Sequence, residues 1–426
     1  MKKILLLGGS EQQLVAIKTA KRMGFYTVLC DYLTDNPGQY IADKFYLVST
    51  IDKEAVLDVA QKEKVNGVLG YASDPAAPTA AYVAERLGLL GNPFESVNTL
   101  CNKDEFRSFL QKNGFNAPQS GSYSNFEDAE KDVSRYRLPV IVKPVDSSGS
   151  KGVTVLSQWE ELEKSLEFAL SFSRCHRVII EEFIEKKHKY LIGGDIFIYK
   201  GKVIQWGLMN CHRDNKVNPL VPVGKSYPIL LGEDDLTHVK ETLQEMVDKL
   251  HIDSCAMNVE LVVDKSGRVW PIDVGPRSGG NMIPDLLGMI FETDVAEMCV
   301  RAAMGMPIKV KESTGNPYYA THNLHTEKNG FFDGIQYSDE IRPHIVRECV
   351  YKRTGDAVEY FDNASKAIGI VFLSFDSQEE MEEMLENINQ HICVKVEGGG
   401  GSPSRIVFAF CASGRHSDML ERRCAA

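Results

Sequence analysis

The chain has 426 residues, more than one ordinary core holds and enough for two or three lobes of about 100–200 residues each. With 43% hydrophobic and 25% charged residues, and no run near the roughly 18 apolar residues of a membrane span, it is neither a disordered nor an integral membrane chain. Its 48 basic and 59 acidic residues leave a net charge of −11, which disfavours nucleic acid as a partner.

Ile4–Leu7 is an apolar run shorter than the roughly 7–15 residues of a signal-peptide core, so it reads as a first strand and the protein is expected to be cytoplasmic. Gly8-Gly9-Ser10 follows, then helical spacing through Leu14, Ile17 and Ala20, then a strand ending at Asp31. Asp31 stands where a dinucleotide-binding acid would, but Gly8-x-Ser10-x-x-Gln13 keeps one of that fingerprint's three glycines, which favours a plain tight turn. A helix at Lys53–Glu63, a strand at Gly67–Gly70 and a helix at Thr79–Leu87 complete a small parallel α/β unit.

Beyond a helix at Lys103–Asn113, the strand Leu138–Lys143 enters the small-residue loop Asp146-Ser-Ser-Gly-Ser-Lys-Gly152, followed by a strand Val153–Leu156. Lys143 interrupts an apolar strand, where a phosphate would neutralise it while backbone N–H groups of the loop approach the same anion. The loop lacks the order of a P-loop. The helix Glu160–Ser171, the strand Val178–Ile184, and the strands Tyr190–Ile198 and Lys202–Leu208 come next.

A hairpin is expected over 257–274, turning at Asp264–Gly267. With Asp264 facing Gly267, Glu260 opposes Pro271 and Asp273 lies diagonally from Glu260 on the same face, Cα atoms about 7–8 Å apart. Two such acids repel unless a cation stands between them, and Mg²⁺ with nucleotide phosphates suits the gap. The ten cysteines show no paired zinc or redox spacing and read as reduced thiols.

In order, Lys103, Lys143 with Ser147–Gly152, Glu181-Glu-Phe-Ile184, Glu260 and Asp273-Val-Gly-Pro-Arg277 resemble the ATP-grasp superfamily of carboxylate–amine ligases. The later segments Thr321–His325, Gly330–Gly334 and Ile368–Phe372 look like those of its L-amino-acid ligases, with biotin carboxylase and the carbamoyl-phosphate synthetase large chain more distant. The resemblance implies an α/β fold, α+β in the lid. It divides the chain into a Rossmann-like domain (1–97), an ATP lid (98–186), a catalytic lobe (187–310), a C-terminal α/β domain (311–396) and a linker and tail (397–426).

The family roles carry over residue by residue. Lys103 and Lys143 would meet ATP phosphates, and Ser148, Gly149 and Ser150 would lie in the closing loop. Glu181, Glu182, Phe183 and Ile184 would form the adenine hinge, and His188 or Lys189 would replace the usual ribose acid. Glu260 and Asp273 would hold Mg²⁺, which Mn²⁺ can replace. Arg277 would join Lys143 as a catalytic group, with Gly279, Gly280 and Asn281 near the substrate. Gly275 stands where the family has an asparagine ligand, for which water or Asn281 would substitute.

The implied activity is ATP-dependent amide formation through an acyl phosphate, from small-molecule carboxylate and amine substrates, with no nucleic acid or membrane partner and a homodimer left open. Carboxylase or carbamoyl-phosphate-type chemistry, a non-catalytic ATP-binding regulator and, last, a dinucleotide-dependent oxidoreductase are the alternatives. Asn210–Lys225 and 278–290 are expected to be specificity loops, while His322 and His325 are either substrate-facing or structural.

Overall fold

The structure, a computed structural model, describes residues 1–310 and 315–398. The tail expected over 397–426 therefore lies, from residue 399 on, outside the described residues.

Four parallel strands form the N-terminal sheet in the order Lys44–Leu47, Tyr26–Asp31, Lys3–Leu7, Gly67–Leu69. After Lys3 the first strand is wholly apolar because both its faces are covered. Ile4 and Leu6 join one core cluster and Leu5 and Leu7 another. The Ile4–Leu6 cluster also contains Leu286 and Val300 from the helices Ile283–Phe291 and Val295–Ala303, so the N-terminal sheet packs directly on a later part of the chain. The glycine turn is closed by its own neighbours. Asp31 accepts Gly9 N–H at 2.7 Å and Leu33 N–H at 2.9 Å, and a Cβ added at Gly8 would lie 2.2 Å from the Gln13 amide. That is a tight turn, not an open dinucleotide cradle.

A second, antiparallel sheet runs Ser120–Tyr123, Val178–Glu182, Val140–Pro144, Thr154–Leu156. It is covered by the helices Phe126–Asp132 and Leu162–Leu170.

An eight-stranded sheet follows in the order Val269–Gly275, Cys255–Val263, Leu191–Tyr199, Lys202–Asp214, Asn218–Tyr227, Tyr319–Leu324, Gly369–Ser374, Ile345–Val350. The helix Glu233–Lys249 buries Val239, Leu243, Met246 and Val247 against Ile192, Ile196, Leu208, Val259 and Leu261 on one face. Side chains alternate along strands, so the opposite face receives Gly193, Asp195, Cys211, Asn258 and Glu260. The expected loop Asn210–Lys225 is instead mostly strand, and 278–290 contains the start of a helix. Val221 and Val223, fully or nearly buried, carry the alternation that the polar residues around 210–216 obscured.

Candidate active site

The hairpin turn does not have the expected register. Asp264 N–H reaches Arg268 O at 3.0 Å, Gly267 N–H reaches Asp264 O at 2.9 Å, and Gly267 has φ +83°, the left-handed residue of a three-residue hairpin loop. Leu261 therefore faces Pro271, and a bulge at Ile272 then brings Glu260 directly opposite Asp273. Glu260 and Asp273 are thus facing partners, one step closer than the diagonal pair expected. Cations flank both: Lys103 Nζ lies 3.8 Å from Asp273 and Arg213 3.5 Å from Glu260.

The bulge has a further consequence. Its Ile272 carbonyl accepts a 2.6 Å hydrogen bond from Arg107, whose guanidinium also donates to Glu181 at 3.0 and 3.3 Å. Glu181 is ion-paired with Lys143 as well, and all three side chains are buried. Sequence reasoning missed Arg107. The available signal was its place four residues after Lys103, on the helix face that also buries Phe106 and Leu110.

Burial opposes ionisation of Glu181, yet Arg107 and Lys143 hold its carboxyl down to about 2. Burial pulls Lys143 below the ordinary lysine range, with Glu181 acting against it. A carboxyl depressed in the folded state contributes stability above its unfolded value, and that contribution disappears as pH falls toward about 2. Arg107→Met should leave a buried charge with half its partners and destabilise the protein by about 3–5 kcal/mol. Urea midpoints at pH 7 and pH 3 measure this, and the parent–variant gap should narrow at the lower pH.

Lys103, Lys143, the 147–151 loop, Glu181–Lys186, Glu260 and Asp273 line one cavity of about 1170 Å³. Lys103 Nζ donates to Ser147 O at 2.8 Å, Ser150 Oγ donates to Leu220 O at 2.9 Å, and Ala364 N–H reaches Gly149 O at 3.2 Å. The loop thereby lines the cavity while bonded to two later segments, with Gly149, Ser150 and Gly152 all at positive φ. At the hinge, Phe183 N–H bonds Pro139 O at 3.1 Å, and Glu182 accepts Arg137 N–H at 2.9 Å.

His188 does not line this cavity. Its Nδ1–H donates to the Tyr190 carbonyl and its Nε2 accepts Val263 N–H at 3.0 Å, so both nitrogens are spent on backbone and the expected ribose contact is corrected to a structural one. Burial lowers its pKa, consistent with a neutral ring. Lys189, the other residue expected at the ribose, does line the wall, together with Lys186 and Tyr190.

Residues 102–311 match the family model described as the carbamoyl-phosphate synthase L chain, ATP binding domain. This part of the chain is an ATP-grasp domain. The carbamoyl phosphate synthase large chain of Thermotoga maritima is 25% identical over 308 residues, 71% of this chain but 27% of that protein. The formate-dependent phosphoribosylglycinamide formyltransferase of Methanocaldococcus jannaschii is 24% identical over 386 residues, 86% of this chain and 93% of that one. Among solved structures, an L-amino acid ligase from Bacillus licheniformis superposes with TM-score 0.75 at 21% identity, covering 93% of this chain and 99% of that one. The α/β architecture is thus that of ATP-grasp proteins.

Arg277 sits at the border of the ATP-grasp domain and the N-terminal sheet. Its Nε donates to Asp74 at 2.7 Å and its second arm closes a bidentate pair, while its third nitrogen donates to Ser278 O at 3.0 Å. Burial disfavours both charges, but the pairing keeps Asp74 below and Arg277 above their ordinary values. The two line a cavity of about 260 Å³ that shares Lys103, Ser147, Ser148 and Asp273 with the larger one. A Cβ at Gly275 would stand 2.7 Å from Asp74 Oδ1, so this ion pair fills the space that an asparagine side chain would need.

Gly279 N–H donates to Asp195 at 2.7 Å, and Asp195 also accepts from Asn258 at 2.8 Å, which ties the loop behind Arg277 to the sheet. Neither Gly280 nor Asn281 lines either cavity. His325 bonds Asn323 O at 2.6 Å and Asp214 at 3.2 Å, and His322 is buried, held down to about 3 by burial and by His325. Both belong to the packing between strands.

Proposed function

We propose that this protein is an ADP-forming carboxylate–amine ligase that binds Mg·ATP in the 1170 Å³ cavity and joins a small carboxylate to an amine, an amino acid serving as at least one substrate. The observation that carries this reading is the convergence of two lysines, a small-residue loop and two facing carboxylates on one cavity. The likeness to an L-amino acid ligase along nearly the whole chain supports it.

Glu260 and Asp273 suit a hard cation that takes carboxylate oxygens and leaves its other positions to phosphate and water, so they would hold Mg²⁺. The ion, when bound, supplies positive charge to the phosphate oxygens. Lys103 and Lys143 meet those oxygens from the other side, while the backbone of 182–184 and the Glu182 side chain flank the base. The γ-phosphoryl group moves to a substrate carboxylate oxygen as ADP leaves. The amine nitrogen then attacks the acyl carbon, the C–O bond to phosphate breaks, and the amine proton passes to phosphate or solvent. No side-chain nucleophile is needed. The 147–151 loop keeps water from the acyl phosphate.

Phosphate release with Mg·ATP and paired amino acids, carboxylates and amines tests the reading. Release requiring both partners, with an amide of matching mass, is the expected result. Mg·ATP binding without release across the panel indicates a non-catalytic nucleotide binder, and release dependent on bicarbonate indicates carboxylase-type chemistry.

A further inference from the structure

Four cations face the ligand side of the large sheet and its edge with a carboxylate as partner. Lys103 stands against Asp273, Lys143 against Glu181, Arg213 against Glu260 and Arg277 against Asp74. Lys225 differs from them. The residue is 7% exposed, no carboxylate among the described residues forms a hydrogen bond or close ion pair with it, Asp195 on the same sheet face acts on it only through space, and its ammonium contacts the Cys211 thiol. An ammonium withdrawn from water without a contacting counter-charge is costly; a thiol hydrogen bond does not offset that, and the Asp195 oxygens are taken up by Gly279 N–H and Asn258.

The surrounding sheet is shaped to admit it. Lys225 is the register partner of Cys211, and its long side chain reaches over the neighbouring strand to Gly193. A Cβ there would lie 2.8 Å from Lys225 Nζ and 2.4 Å from Cys211 Sγ, so only glycine leaves room for this pair. Gly193 is in turn the register partner of Glu260. The ammonium is therefore one strand beyond Glu260, on the side away from Asp273, and Cys211 beside it lines the nucleotide cavity.

We propose that Lys225 is a substrate subsite that binds the free carboxylate of the amine-donating amino acid, which rests on the ligase reading above. In that chemistry the acyl donor's carboxylate loses its charge on phosphorylation and belongs with the Glu260–Asp273 side. The amine donor's carboxylate keeps its charge through the reaction, so it needs a permanent cation near, but apart from, the metal pair. Lys225 has that position, and the incoming carboxylate supplies the contacting counter-charge that the fold does not.

Calorimetry on the full-length protein loaded with Mg·ADP tests the subsite, using L-alanine, L-glutamate, L-phenylalanine and L-lysine alongside their α-carboxamides. The parent should bind at least one acid about tenfold or more tighter than its amide, a preference of about 1.4 kcal/mol. Lys225→Met should bring that ratio within about twofold with Mg·ADP affinity unchanged, and Lys225→Arg should keep part of it. Lys225→Gln substitutes if the Met variant does not fold.

A parent that binds none of the probes, one without acid preference, or a preference that survives in Lys225→Met overturns the proposal. Phosphate release by the parent is read separately. Release with no acid preference removes the subsite alone, and acid preference without release removes the ligase reading alone.

Discussion

Glu260→Gln and Asp273→Asn should each fold as the parent does and lose at least about 10³-fold in ATP-dependent phosphate release. The fold should survive because neither acid is structural: their side chains are 26% and 44% exposed, and their closest cationic neighbours are at 3.5 and 3.8 Å. The two carboxylates face each other across one strand pair, so neutralising either relieves a repulsion, and the melting temperature should stay level or rise slightly. Turnover should fail because half of the metal's carboxylate ligation is gone where charge develops on the transferred phosphoryl group. Calorimetric Mg·ATP affinity, melting temperature and phosphate release on the single and double variants measure the three effects. A double variant with unchanged Mg·ATP affinity and turnover would remove the metal assignment.

The parts of this architecture written in local patterns were readable from the chain. Short apolar runs and turn glycines mark the N-terminal strands and the 255–275 hairpin, and Lys143 is visible because a charge interrupts an apolar run. The ordered motifs then lead to the ATP-grasp domain. Contacts closed by tertiary structure were not readable. Glu260 meets Asp273 directly because the turn has three residues and Ile272 bulges, and both effects depend on hydrogen bonds that residue spacing does not encode.

Arg107 meets Glu181 across 74 residues, and Asp74 meets Arg277 across 203. His188 shows the reverse error. A histidine after the hinge was an attractive ribose ligand by position, but the backbone at Tyr190 and Val263 claimed both of its nitrogens. The strand Asn218–Tyr227 was hidden because Pro219, Pro222 and Gly224 interrupt its apolar alternation, which left Lys225 and its neighbour Cys211 outside the motif reading.

Arg277→Lys should lower turnover about 100-fold while Mg·ATP affinity stays close to that of the parent. Arg277 has a structural role as well, because its bidentate pair with Asp74 ties the loop after Gly67–Leu69 to the end of the Val269–Gly275 strand. Lysine keeps the charge but cannot span both carboxylate oxygens or present a planar fork to a phosphoryl group. Asp74→Asn separates the two roles. It removes the counter-charge from Arg277 and so takes away the same tie, while leaving the guanidinium in the cavity it shares with Lys103 and Asp273. If the pair is only a structural clamp, both variants should lose similar thermal stability and keep similar activity per folded molecule. If the guanidinium meets the transferred phosphoryl group, the melting temperatures should fall together, but turnover should collapse in Arg277→Lys and stay within about tenfold of the parent in Asp74→Asn. Melting curves and phosphate release on the two variants decide between these outcomes, and equal activity in both would assign Arg277 to the clamp.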